Sequence, residues 1–170
     1  MKFKKAAVAL MLATVMVGAA VASKVSSDYD RNTDFTKFKT YAWAESKNPA
    51  KDALWHQRVV ENIDRQMAAK GLRKMEGSAD LVVTYNGGMK ESTSLQGYGT
   101  GGRWVGGNFS VRKVTEMEGT LIVDLYDTQA KQLVWRGTAT ETASGKPEKD
   151  ITKLEKVVAK LFKEYPPSRK

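Results

Sequence analysis

Apolar side chains recur at helical spacing in two separate stretches of this 170-residue chain, and the segments around them alternate in the manner of strands. That ordering constrains the fold more than any single residue does. From about Pro49 to Lys70, at about 100° per residue, His56, Val59, Val60, Ile63 and Met67 share one face, opposite Gln57, Arg58, Glu61, Asp64 and Arg65. Asn48-Pro49 offers a helix entry and Gly71 a C-terminal stop. Burying the aliphatic members of that face contributes on the order of 6 to 12 kcal/mol before entropy, so the helix is expected to pack on a sheet. A second helix is expected from near Asp150 to Tyr165, where Pro166-Pro167 forbids continuation. Ile151, Leu154, Val158, Leu161 and Tyr165 form its apolar stripe, and Lys149, Lys153, Lys156, Lys160 and Lys163 its opposite face.

Two short strands are expected before the first helix, over Lys24 to Asp30 and through Phe35, Phe38, Tyr41 and Trp43, and others over Ala79 to Asn86, Glu118 to Asp127 and Gln132 to Thr142, with Phe109 to Met117 as one more. No internal repeat is visible. The order predicts one α+β domain over residues 23–170, a largely antiparallel sheet with two helices packed on one face.

Between the strand regions lies Gly87 to Gly107, with eight of the 14 glycines. Each glycine costs about 0.5 to 1 kcal/mol relative to alanine in regular structure, so the segment reads as a glycine-rich loop. Tyr98, Arg103 and Trp104 stand in it among residues that cannot bury them, which makes them the candidate ligand or partner contacts.

The N-terminus has the form of an export signal: Lys2, Lys4 and Lys5 precede 17 residues, Ala6 to Ala22, in which Thr14 is the only polar side chain. Ala20 and Ala22 place cleavage after Ala22 and predict a periplasmic product beginning at Ser23. Processing would lower the formal charge from +9 to +6 by removing those three lysines, and the remaining basic residues are interspersed with 19 acidic ones. Without a dense basic patch or an RNA-binding motif, no nucleic acid partner is expected. The chain has no cysteine, which excludes disulfides, thiol catalysis, Cys-based zinc sites and lipid attachment at the end of the leader.

Several stretches taken together resemble the exported bacterial family called domain of unknown function 4136, many of whose members are lipoproteins. They are Asp28-Tyr29-Asp30 with Asp34-Phe35 and Phe38, Thr40-Tyr41-Ala42-Trp43, Lys70-Gly71-Leu72, Ala79-Asp80-Leu81-Val82-Val83, Gly119 to Asp124, Leu133-Val134-Trp135-Arg136-Gly137 and Tyr165-Pro166-Pro167. The resemblance implies an envelope location and a two-layer α+β domain, and brings no catalytic residue with it.

Catalytic, cofactor and metal motifs are weak throughout. Gly97, Gly99 and Gly102 spell a dinucleotide pattern, but Arg103-Trp104-Val105-Gly106-Gly107 does not open the helix that such a site requires. Gly145-Lys146 is followed by Pro147 where a P-loop needs Ser or Thr. Asp28, Asp30 and Asn32 have the spacing of early calcium-loop ligands, yet Thr33 and Lys39 replace the required Gly and Glu. His56, the only histidine, lies on the apolar helix face and reads as a hydrogen-bonded core residue. Carboxylate chemistry would draw on Asp80, Asp124, Asp127, Glu116 or Glu118, with Arg136 a salt-bridge partner for Asp80 or Asp124 in their apolar strands. Trp43, Trp135, Tyr29, Tyr41 and Phe38 alternate as sheet packing.

The resulting expectation is a non-catalytic envelope domain that binds or scaffolds an envelope component, without cofactor or metal. A carboxylate-dependent hydrolase and an anionic-lipid binder working through the C-terminal lysines are the alternatives.

Overall fold

The computed structural model describes residues 23–44, 52–100 and 108–167. Residues 1–22, where the leader is expected, lie outside it, as do Asn48 and Pro49.

Helix α1 (Ala53–Ala69) begins at a capping carboxylate: Asp52 accepts the backbone N–H of Trp55 at 2.8 Å. It ends as the sequence predicts. Gly71, at φ +82°, donates to the Ala68 carbonyl at 2.9 Å, and Leu72 donates to Met67 at 3.1 Å. These two bonds turn the chain back over the helix end and bury Leu72 beside Met67. Helix α2 (Pro147–Leu161) starts earlier than expected, because Pro147 occupies the first turn, where its missing N–H costs nothing. It buries Leu154, Val157, Val158 and Leu161; a 3₁₀ turn over Phe162–Glu164 then delivers Tyr165 into the core.

The strands are β1 (Lys24–Tyr29), β2 (Thr40–Trp43), β3 (Arg73–Lys74), β4 (Leu81–Thr100), β5 (Asn108–Asp127) and β6 (Gln132–Thr142). They form one sheet in the order β1-β6-β5-β4-β2-β3. The expectation of a largely antiparallel sheet is corrected: β1, β6, β5 and β4 are antiparallel neighbours, but β2 is parallel to both β4 and β3, so the sheet is mixed. The cause is α1. A helix between two strands carries the chain back to the end from which it started, so the following strands enter parallel to β2.

The second correction concerns Gly87 to Gly107. Residues 87–100 are strand, paired without a register shift to residues 108–121. What reads as a loop followed by separate strands is one hairpin of two 20-residue strands, with residues 101–107 outside the described part.

Side-chain parity places the core. Leu81, Val83 and Tyr85 on β4 and Leu121, Val123 and Leu125 on β5 stand in register on one face and are buried. Trp135 and Ala139 of β6 continue that face, and Val59, Ile63 and Met67 of α1 join the α2 side chains over it. Gly137 lies beneath Leu161 at the end of α2. A Cβ there would run into the Trp135 ring and come within 2.7 Å of Leu161 Cδ1. Phe35, Phe162 and Tyr165 meet Tyr29 and Trp135 edge-on or tilted at 5.5–6.2 Å, closing one end of the core. Trp43 and Tyr29 pack at the rim, while Trp135, Tyr41 and Phe38 are fully inside, in line with their reading as packing residues.

Candidate interaction surface

Three of the acidic residues that could have done chemistry, Asp80, Asp124 and Asp127, are bonded into their own fold. Asp124 meets Arg136 through two bonds, Nε to Oδ1 at 2.6 Å and Nη2 to Oδ2 at 2.8 Å, across the β5–β6 register. The carboxylate keeps the guanidinium even more firmly protonated than usual. Arg136 therefore serves Asp124 and not Asp80. Asp80 accepts the N–H groups of Lys39 and Thr40 at 2.8 and 2.9 Å and the Thr40 hydroxyl at 2.9 Å. The Lys39 N–H and the Thr40 hydroxyl hold its carboxyl below the usual range.

Asp127 is buried at the turn between β5 and β6. It accepts Lys37 Nζ at 2.6 Å and the N–H groups of Gln129 and Ala130, and Lys37 is the main reason its pKa is depressed. Asp30, from the calcium-like spacing, folds back on Asn32 N–H and the Thr33 hydroxyl, as an Asx turn does. Its neighbour Asp28 stands opposite Arg136 in the β1–β6 register.

His56 is half-buried, with Nδ1 2.6 Å from the Tyr85 hydroxyl and its ring tilted against that tyrosine. One acid that sequence reading placed only on the polar helix face is in fact a hub. Asp64 accepts Tyr41 Oη and Trp43 Nε1 on one oxygen and Lys74 Nζ on the other, at 2.7–2.8 Å, tying α1 to β2 and β3. Burial and the Asp64 carboxylate push the Tyr41 hydroxyl pKa well up. The lysine face of α2 is also partly engaged: Lys153 bonds the Thr142 carbonyl at 2.5 Å and pairs with Glu141, and Lys160 bonds the Ser23 carbonyl at 2.9 Å. Lys149, Lys156 and Lys163 are exposed.

A different kind of surface lies beyond the body. Strand β6 pairs with β5 only as far as Glu118, and β2 pairs with β4 only as far as Val83. From Glu91↔Met117 to Thr100↔Asn108, β4 and β5 therefore run as a two-stranded ribbon, about 30 Å long at the usual strand rise. Its odd-numbered face continues the helix-bearing face of the sheet, but among the described residues no helix lies over it. Along that face and at the ribbon's base Met89 is 61% exposed and Leu95 73%, with Val111 and Met117 also exposed. The even-numbered face carries Lys90, Ser92, Gln96, Arg112 and Glu116; Glu118 is half-buried at the base.

Of the contact residues expected from sequence, Tyr98 stands opposite Ser110 near the distal end of the ribbon, while Arg103 and Trp104 lie outside the described residues. Met89, Leu95, Val111 and Met117 escape the sequence reading, because the glycines around them mask their alternation. Their shared parity, Met89 and Leu95 on one strand and Val111 and Met117 on the other, is the signal that could have placed them on one face.

With this geometry in place, the comparisons with known proteins are decisive for kinship. The family described as "Domain of unknown function (DUF4136)" matches residues 25–167. The chain belongs to that family. As a DUF4136 member it has recognisable structural neighbours. A PDZ domain protein from Parabacteroides distasonis superposes with a TM-score of 0.57 at 13% identity, over 87% of this chain and 37% of that one. The DUF4136 chain thus spans little more than a third of that protein, and the likeness is one of fold. Weaker superpositions are to the PelC dodecamer from Paraburkholderia phytofirmans, with TM-score 0.46 and 14% identity over 82% of this chain and 98% of that one. A minor lipoprotein from Acinetobacter baumannii follows at TM-score 0.35 and 12% identity, over 75% of this chain and 88% of that one. No curated protein matches. Among the described residues no helix is long and apolar enough to cross a membrane.

Proposed function

We propose that this DUF4136 protein is a non-catalytic domain of the cell envelope, exported to the periplasm by the leader at residues 1–22, that binds or scaffolds an envelope component through the distal part of its β4–β5 ribbon. The observation that carries the reading is a contrast in how side chains are used. Asp80, Asp124 and Asp127 each accept two or more bonds from their own fold. The ribbon, by contrast, holds large apolar side chains in solvent beyond the body. In sequence Tyr98, Arg103 and Trp104 fall in the glycine-rich segment that includes the end of β4, and an aromatic and forked-cation set suits recognition.

The test replaces Gln96 to Gly107 by a short turn and measures melting temperature together with crosslinked capture from the intact envelope. Unchanged melting with lost capture is expected. Capture equal to that of the unaltered chain would overturn the assignment to the ribbon end, and turnover of an envelope glycan or ester that Asp124→Asn abolishes would overturn the non-catalytic reading. Intact mass of the exported protein, expected to begin at Ser23, checks the location.

A further inference from the structure

The shaft of the ribbon has two open edges over the same span, and they are complementary to each other. The Val83 carbonyl accepts from Ala44 on the β2 side at 2.9 Å, and the Met117 carbonyl accepts from Ala143 on the β6 side at 2.7 Å. Backbone groups alternate sides along a strand, so odd-numbered residues of both strands direct N–H and C=O away from the hairpin. Past these two residues no described strand pairs with either edge. Ten-residue edges of this kind accept another strand, and natural proteins block or occupy them.

We propose that the ribbons of successive copies of this chain pair edge to edge, β4 of one antiparallel to β5 of the next. An unrelated peptide would cover one edge and leave the other open. A second copy brings the matching edge, and the contact, being head to tail, repeats.

The side chains select the register. Displaced by one two-residue step from the pairing inside the hairpin, Leu95 faces Val111 of the next copy and Lys90 faces Glu116. Glu91 then lies diagonal to Lys113. The exposed Leu95 and Val111 then cover each other, and the charges on the two edges are opposite in sign where they meet. This deepens the reading of the ribbon as a contact surface but concerns its shaft, whereas capture of an envelope component was assigned to its end.

Sedimentation of the full chain, purified after export at micromolar concentration, provides the test. Assemblies larger than one chain are expected. Lys90→Glu should weaken them roughly tenfold by setting like charges opposite each other, and adding Glu116→Lys should restore them to within about threefold. Thr93→Pro removes one outward N–H that the hairpin does not use and should also give single chains with an unchanged melting temperature. A wild-type chain that sediments as a monomer, or variants that assemble as wild type does, overturns the proposal. Envelope capture on the same samples separates the two readings. A monomeric wild type that still captures its component defeats only the self-pairing, and an assembly that captures nothing defeats only the envelope-binding role.

Discussion

Strands β4 and β5 run through two environments without a break in their ladder. In the half from Leu81 to Tyr85 and Val123 to Asp127, the odd-numbered side chains are buried under two helices and neighbouring strands flank both edges. In the half from Glu91 to Thr100 and Asn108 to Met117, the same pairing continues with, among the described residues, neither helices over it nor strands paired beside it. Hydrogen bonding is common to both, so burial is what differs. A two-stranded hairpin is marginal in water by itself. The outer half therefore depends on the body to nucleate it, and it contributes little in return.

The contrast can be broken most forcefully by cutting into the body. Ile63→Ala or Leu161→Ala removes a fully buried side chain beneath the sheet and should cost about 2 to 5 kcal/mol in urea unfolding. A loss below about 0.5 kcal/mol, the range of ordinary surface substitutions, would mean that the helices are not docked as described. Gly137→Ala should follow, at about 1 to 3 kcal/mol, since the new methyl must displace the buried Trp135 ring or Leu161. Melting of the purified variant is the measurement, and a neutral result would relocate α2.

Arg136→Met leaves Asp124 without its two guanidinium bonds and should cost about 1 to 3 kcal/mol at neutral pH. Because Arg136 is itself 46% exposed, water offsets part of the loss, and Asp124→Asn/Arg136→Met together should be milder than Arg136→Met alone.

The pH dependence belongs to the body as well. The folded-state pKa values of Asp80 and Asp127 are depressed, so their contribution is fully present above the unfolded value of about 4 and is lost as pH falls through the folded values. Unfolding midpoints should be flat from neutral pH to about pH 5 and drop below about pH 4, and Asp80→Asn should flatten part of that drop. The smallest effect is expected in the ribbon: Leu95→Ala should change stability by no more than about 0.5 kcal/mol in a dilute, monomeric sample. A larger loss would show that something in the fold covers that face.

Much of the body was legible because its signals are local. The apolar stripe of α1, the glycine that ends it and the proline pair after Tyr165 act through neighbours in the chain, and the structure carries all three. The start of α2 was missed for a local reason too. Pro147 was weighed as the residue that spoils a phosphate loop and not as the first residue of a helix. Asp64 was misread because its polar side of α1 gives no hint that Tyr41, Trp43 and Lys74 converge there from separate strands.

Periodicity, caps and stops by themselves determined the two helices, the strand-forming segments and the side chains that would be buried, since each depends on the hydrophobicity and backbone freedom of residues close in sequence. Only the tertiary structure decided that β2 joins the sheet parallel to β4, because that depends on where α1 returns the chain. It alone decided that the glycine-rich residues 87–100 are strand. Glycine carries no side-chain pattern and disfavours regular structure locally, yet a ladder continuing outward from a buried hairpin base holds it extended. Whether an apolar residue such as Leu95 is core or surface is likewise invisible in the chain, because its neighbours in sequence look the same in either place.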